Sequence, residues 1–488
     1  LYLGRCPQCQ GSRRRSQAIR FVMACRNGHM DDVNWSLLVH GGAGRRCQQA
    51  DWFRWEGGGG SLRELRVGCP HCHARAALAD VYDRRWPCSG RRPENEPRGG
   101  TAIRPWDCKQ PARLIQRQAT NLRIPEPQTF FTIPPMHTAL HRLLENPPVI
   151  HILKALGGLD TPERFDQFRI MVENLNRDGT ITDANMAGIF SHTQPEIMEA
   201  AAGVLAPPPG SMREALLQEF RALIEGSARG VPSSEGSGFE ITRDRVRVIP
   251  APDGRLVRVA PISRLRTLTV QLGYRRLVEP DPQECQLVSV AHQDSSGIRW
   301  LPGVEYLGEG IFIMLDGNDG WHFPLTGEDS ETWRRVALDP SSYPTFPFRT
   351  DAREELHPVF IWWHTLAHIL IRALALHSGY GATSVRERVY LEIDGDRVRG
   401  GVVLYTSQPG TDGSLGGLVA LVPHFEAILA AALENLFYCS NGYLCDENRF
   451  RPGHHGGASC YGCTVISETS CEHRNMWLDR RVLLGNLP

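Results

Sequence analysis

The sequence predicts an α+β, multidomain protein on three observations: cysteine clusters at both ends, a stretch of helical periodicity after the first two clusters, and strand-like alternation beyond it. A chain of 488 residues makes about three domains. Its 41% hydrophobic residues are enough for their cores. With 48 glycines, 34 prolines and 22% charged residues, the composition is that of a globular protein rich in loops, which excludes a disordered tail.

The first element, residues 1–130, is basic and cysteine-rich, with short strands expected at 18–24 and 62–67 and a loop at 57–60. Fourteen cysteines would allow a disulfide framework. Such frameworks staple small secreted domains, and no export signal opens this large chain, which begins LYLGRCPQC. Zinc suits the spacing better. A Cys-x-x-Cys turn aims two thiolates at one point, and a second pair from a distant loop completes the tetrahedron. Cys6, Cys9, Cys25 and His29 make the first expected site, with Cys47 as the alternative fourth ligand. Cys69, Cys72, Cys88 and Cys108 make the second. The repeated Cys-Pro-x-Cys, fifteen residues, then Cys, predicts tandem zinc-ribbon-like modules. Few core aliphatics occur here, so metal must supply the stability. Cys285, in an alternating run, reads as a small buried thiol.

The formal charge is zero, yet residues 1–130 hold 22 Arg and Lys against 11 Asp and Glu, leaving 32 against 43 for the remainder. A basic head on an acidic body suits a polyanion, or a subunit meeting another by charge complementarity. Arg13, Arg14, Arg15, Arg45 and Arg46 stand in loops between the expected ligands and form the candidate DNA-binding set. Arginine's planar fork donates paired hydrogen bonds to phosphate. Trp35, Trp52, Phe53 and Trp55 either stack on unpaired bases or build the small core of a module.

Residues 131–238 follow as a helical region and linker. Apolar residues recur three and four apart over 138–144, 164–175 and 212–224, broken at 207–210, and 226–238 reads as a flexible stretch. Asn174-x-Asn176-x-Asp178-Gly179 imitates a calcium loop but has Asn185 where a bidentate Glu is needed. Residues 239–354 are the strand-rich middle, with strands expected at 243–248 and 310–315. Only Lys109 and Lys154 are lysines, and neither sits in a Gly-Lys-Ser/Thr loop, so no P-loop ATP site is expected.

Residues 355–488 complete the chain with a third cluster, Cys439, Cys445, Cys460 and Cys463, and Cys471 as a reserve ligand. The apolar stretch 358–376 carries His364, His368 and Arg372, which predicts a buried helix rather than a membrane span. The three lie on one face at i, i+4 and i+8. The spacing imitates a zincin helix, but Thr365 stands where the catalytic Glu is required, so no metalloprotease site is expected. With Arg386, Glu387 and Asp412 these residues read as a polar network within the domain, or as a cleft.

The motifs HTLAHILI, SVRERVY, VVLYTSQPGTDGSLGGL, ASCYGC, SETSCE and NMWLDR, together with Cys439 and Cys445, resemble the helicase-associated four-cysteine C-terminal domain of unknown function. RFVMACRNGHMDDVNW, the Cys69 to Cys108 segment and LIQRQATN resemble the DrmB family of DISARM anti-phage systems. The resemblance implies a bacterial cytoplasmic protein without its own motor, paired with a DrmA-like superfamily 2 helicase in recognising and blocking phage DNA, single-stranded DNA included. It implies no membrane partner and carries over no catalytic residue. The competing reading is a nuclease-like accessory enzyme in DNA repair. The run Gly453-His454-His455-Gly456-Gly457, between Cys445 and Cys460, departs from the family pattern and bears on the fourth ligand there.

Overall fold

Alternation dictates the first strand. In the computed structural model, Phe21–Cys25 (β1) places Phe21 and Met23 against Leu38, Leu78 and Leu114, and Val22 and Ala24 against Ile115 and Leu122. Both faces are therefore covered. Residues 20–41, 47, 52–57, 61–96, 108–131, 133, 139–205, 211–232, 238–252, 254–276, 285–293, 297–317, 320–322, 357–381, 383–395, 397–406, 417–450 and 456–484 are described.

The chain divides into two compact units, Leu1–Gln128 with Val270–Gly303, and Thr129–Thr269 with Val304–Pro488. The helical, strand-rich and C-terminal stretches thus fall mainly in the second unit, while 270–303 joins the first.

In the first unit, Met30–Asp31 (β2) extends β1; Arg54–Glu56 (β3), Arg66–Gly68 (β4) and Arg75–Ala77 (β5) form a separate sheet; Trp86–Pro87 (β6) and Pro111–Gln116 (β7) return to the first. That sheet has the order β2-β1-β7-β6 and is antiparallel where β7 meets its neighbours, with Ala112 opposite both Cys25 and Trp86. The strand expected at 62–67 is a turn followed by the shorter β4. Trp35 and Trp55 meet edge to face at 5.8 Å, and Phe21 stacks on Trp55 at 6.2 Å. Phe21 and Trp35 belong to the small core, and Trp55 packs on its exposed edge. Arg276, fully buried, donates to the carbonyls of Gly28 (2.9 Å) and Leu122 (3.3 Å) and pairs with Glu94 (3.2 Å), a charge that is satisfied on every side.

The second unit begins with helices. Ala139–Leu144, Pro147–Leu156, Pro162–Arg177, Asp183–Phe190 and Gln194–Leu205 share a core that includes Phe165, Phe168, Val172, Ile189 and Ile197. Thr161 caps Pro162–Arg177 by accepting from the Arg164 N–H, and Pro162 at the first position lacks a donor that would be orphaned there. The calcium-like sequence is the last turn of the helix Pro162–Arg177 and the turn that follows it, and Asn176 donates to Asp183 at 2.9 Å.

A large antiparallel sheet follows. Gly303–Leu315 pairs with Arg397–Thr406, which forms a hairpin with Val385–Asp394. The strand expected at 243–248 is a 3-10 turn at Arg243–Arg245 and then the strand Arg247–Pro250, because three consecutive exposed charged residues give no face to bury. Val385 and Val389 face the helix Pro358–His377, whereas Tyr390 packs with Phe220 of the helix Met212–Arg229. The strand's period of two thereby commits Glu387 to one side and Arg388 to the other.

The helix Pro358–His377 is buried on all sides from Pro358 to Ile371, the pattern of a core helix. Gly400 lets it approach the sheet: a Cβ there would meet Trp363 Cδ1 at 2.4 Å. Among the described residues, Pro358–His377 and Val419–Phe437 are long and apolar enough to cross a membrane, and 78% of the first lies buried inside the protein.

Candidate metal centres

Three groups of Cys and His side chains are placed to hold zinc, and the first is assembled by the sheet. Cys25 ends β1, Cys88 follows β6 and Cys108 precedes β7, so the antiparallel pairing through Ala112 draws the three together. The turn through Gly28 (φ 79°) brings in His29, with the Cys25 N–H donating to the His29 carbonyl at 3.1 Å. Cys25 Sγ lies 3.4 Å from His29 Nδ1 and 3.9 Å from Cys108 Sγ, and Cys88 Sγ 3.5 Å from the same His29 nitrogen. A tetrahedron with Zn–S of about 2.3 Å has edges of about 3.8 Å. A disulfide would need about 2.05 Å. The hydrogen bond from Cys88 holds the Cys25 thiol down to about 5, and the same bond pushes Cys88 up.

The second group is His40, Cys47, Cys69 and Cys72. Cys69 and Cys72 sit in the hairpin between β4 and β5, closed by the Cys69 N–H to the Ala74 carbonyl at 2.8 Å. His40 ends the helix Trp35–His40, whose N-terminus Asn34 caps. Its Nδ1 lies 2.9 Å from the Ser36 carbonyl, and its Nε2 meets Cys72 Sγ at 3.3 Å. A backbone acceptor on one ring nitrogen leaves the other free to ligate. Burial pushes Cys69 up, but the N–H groups of Cys72 and His71, with His40, bring it down to about 6.

Among the described residues the side chains group across the expected sets. Cys25 and His29 join Cys88 and Cys108, and Cys47 joins Cys69 and Cys72 instead of completing the first set. Cys6, Cys9, Arg13, Arg14, Arg15, Arg45 and Arg46 lie outside the described residues. His40 is not legible as a ligand in the sequence, since it stands alone on a short helix.

In the third group Cys439, Cys445, Cys460 and Cys463 lie together. Cys439 Sγ is 3.4 Å from Cys460 Sγ, and Cys463 Sγ is 3.7 Å from both Cys445 and Cys460. The Cys463 and Thr464 N–H groups both donate to the Cys460 carbonyl, which tightens the knuckle. Against burial, hydrogen bonds from Cys439 and the Gly462 N–H bring Cys460 down to about 7. Around it Phe437, Tyr438, Tyr443 and Tyr461 are 68% to 85% exposed.

Of the network expected in the C-terminal region, His364, His368 and Glu387 come together, fully buried. Arg372 points away and donates to the Tyr461 and Val465 carbonyls. Arg386, half-buried, interacts with Tyr405, and Asp412 lies outside the described residues. Cys471 and His473 join the buried histidines. Cys285 is buried, as expected.

The purified chain is expected to carry at least three zinc ions. Elemental analysis giving fewer than three, or mass spectrometry finding disulfides among Cys25, Cys69, Cys88 and Cys439, would contradict this assignment.

Residues 2–124 match a domain of unknown function, DUF8724, and residues 366–464 match the MrfA Zn-binding domain. The latter span contains all four cysteines of the third group. The chain is 28% identical over 514 residues to the DISARM protein DrmB of Bacillus paralicheniformis, covering 100% of this chain and 84% of that protein. The resemblance to DrmB thus extends over the whole length. The crystal structure of the DUF1998 helicase MrfA bound to DNA matches 48% of this chain and 24% of its own, at 11% identity and a TM-score of 0.21, too low to carry a fold assignment.

Proposed function

We propose that this chain, a relative of DrmB along its full length, is the non-motor, zinc-stabilised subunit of a bacterial, cytoplasmic DISARM complex. It binds DNA and scaffolds a DrmA-like superfamily 2 helicase. The full-length match to a DISARM protein carries this reading. The charge of the first 130 residues, 22 basic against 11 acidic, supports a phosphate backbone as ligand. Trp35 packs against the core while Trp55, which meets it edge to face, stays 37% exposed, so base stacking falls mainly to the more exposed Tyr438, Tyr443 and Tyr461 around the third zinc group. The nuclease-like alternative finds little support, because His364, His368 and Glu387 are sealed from substrate.

Two binding experiments test this. With Arg13, Arg14 and Arg15 replaced by Gln, the slope of log affinity against log salt falls by about 0.9 for each phosphate that is no longer neutralised. Tyr443→Ala with Tyr461→Ala weakens single-stranded DNA binding by about 1 to 3 kcal/mol per base released. Unchanged affinity and slope in both variants would remove DNA from the account. Co-purification from the native host followed by mass spectrometry tests the helicase partner, whose absence would overturn the scaffold role. The isolated chain is expected to hydrolyse no ATP; turnover that survives repurification and disappears in Lys109→Ala would refute this.

A further inference from the structure

The interior of the second unit holds a cluster that the hydrogen-bond pattern leaves incomplete. His364 comes from the helix Pro358–His377, Glu387 from the strand Val385–Asp394, and Cys471 and His473 from the C-terminal loop. One ligand atom from each lies within 4.8 Å of the others, and all four residues are buried, none more than 5% exposed. His364 Nε2 is 3.0 Å from Glu387 Oε1 and 3.3 Å from Cys471 Sγ.

The close atoms face one another without satisfying one another. His364 Nδ1 is engaged by the Trp477 carbonyl at 3.3 Å and His368 Nδ1 by the Thr464 carbonyl at 2.9 Å. A ring proton donated to a backbone carbonyl leaves the Nε2 lone pair bare. Both bare nitrogens then look toward the Glu387 carboxylate, His368 Nε2 from 3.7 Å. Neither Glu387 oxygen nor His368 Nε2 makes a directed hydrogen bond. Among the described residues no Arg or Lys ion-pairs with Glu387; the adjacent Arg388 faces the other side of the sheet, toward Glu219 and Glu472. Three electron-rich groups around one point, far from water, are costly unless a cation or a shared proton lies between them, and the four converging donors suit a metal ion.

The loop is built as a ligand holder. Cys471 Sγ accepts the N–H groups of His473 (3.3 Å) and Asn475 (3.2 Å), hydrogen bonds that fix its position beside His364 and Glu387. Arg474, Asn475 and Trp477 all adopt positive φ, at 56°, 60° and 64°. Such strain in non-glycine residues is kept where the surroundings over-determine it. Asn475 ties the loop to the segment after Cys463 through both the N–H and the carbonyl of Ile466.

We propose that His364 Nε2, Glu387, Cys471 Sγ and His473 form a fourth zinc site, closed and structural, with His368 flanking Glu387. One thiolate, two imidazoles and one carboxylate make a donor set of borderline softness that suits Zn²⁺ in tetrahedral geometry. The site joins the core helix, the sheet and the C-terminal loop, and is independent of the DNA-binding reading.

Crystals of the unmodified full chain, measured at the zinc absorption edge, test it directly. An anomalous peak within about 2.0 to 2.3 Å of these four ligand atoms is the expected result. Absence of that peak in crystals that show one at Cys439, Cys445, Cys460 and Cys463 would overturn the proposal and leave a buried His–Glu proton-sharing network. In solution, Cys471→Ala combined with His473→Ala is expected to lower the zinc content by one equivalent per chain, and an unchanged content would count against the site. The crystal measurement decides the matter if that variant fails to fold.

Discussion

Cys25→Ser and Cys88→Ser are each expected to remove one zinc ion per chain, and the double variant is expected to remove that same single ion. The two residues stand 63 positions apart, yet both approach His29 Nδ1, at 3.4 and 3.5 Å. Had the ligands been grouped in sequence order, the two sites would be separate and the losses would add to two. Zinc measured by elemental analysis on the two single variants and the double variant separates these arrangements, and an additive loss would refute the interleaved one. The effect on folding should be large. Structural zinc binding in small domains is worth about 10 to 16 kcal/mol, comparable to or above the net stability of a whole domain, about 5 to 15 kcal/mol. The apolar clusters beside this site, such as Val22, Ala24, Ile115 and Leu122, are small. Limited proteolysis should accordingly cut within residues 20–128 of either variant while sparing the second unit.

Arg388→Met is expected to destabilise the second unit by about 3 to 5 kcal/mol, the cost of leaving buried charges without their partner. Arg388 is 3% exposed. Its guanidinium donates to both oxygens of Glu219 (3.2 and 3.0 Å), to Glu472 (2.7 Å) and to the Thr129 carbonyl (2.5 Å), and lies 3.9 Å from the centroid of the Phe131 ring. Methionine fills the volume but satisfies none of these acceptors. Burial pushes the Glu219 carboxyl up, and Arg388 is the leading force holding it down. A carboxyl raised in the folded state weakens folding as pH rises through its folded value. Without Arg388 that value climbs further, so the stability deficit of the variant should be smaller at about pH 5 than at about pH 8. Urea unfolding at both values checks the sign. Glu219→Gln introduced beside Arg388→Met should recover part of the loss. A deficit below about 1 kcal/mol would show that the arginine is dispensable, and one that grows in acid would refute the role given to Glu219.

The local chemistry is legible wherever it depends on short spacings. Cys439, Cys445, Cys460 and Cys463 meet because one knuckle, one short helix and one turn carry them, all within 25 residues. The helices at Pro162–Arg177 and Met212–Arg229 announce themselves through apolar periodicity, and the histidines in Pro358–His377 argue for a buried helix, which the structure contains. By contrast, the repeated Cys-Pro-x-Cys motif suggests two successive modules, because sequence spacing cannot reveal that β7 lies between β1 and β6. For His473 the available signal is the Cys-x-His spacing two residues after Cys471, too short a motif to single it out by itself.

The sequence by itself determined which residue types could bind metal, the α+β character and the basic charge of the N-terminal quarter. These follow from composition and from periodicities of two to four residues, which local backbone geometry enforces. Only the tertiary structure decided which ligands share a site. Strand pairing brings Cys25, Cys88 and Cys108 to one point across 83 residues. The packing of a helix, a strand and a loop gathers His364, Glu387, Cys471 and His473. Such partners are chosen by long-range register and by the burial of one sheet face against one helix, and neither leaves a periodic trace in the chain.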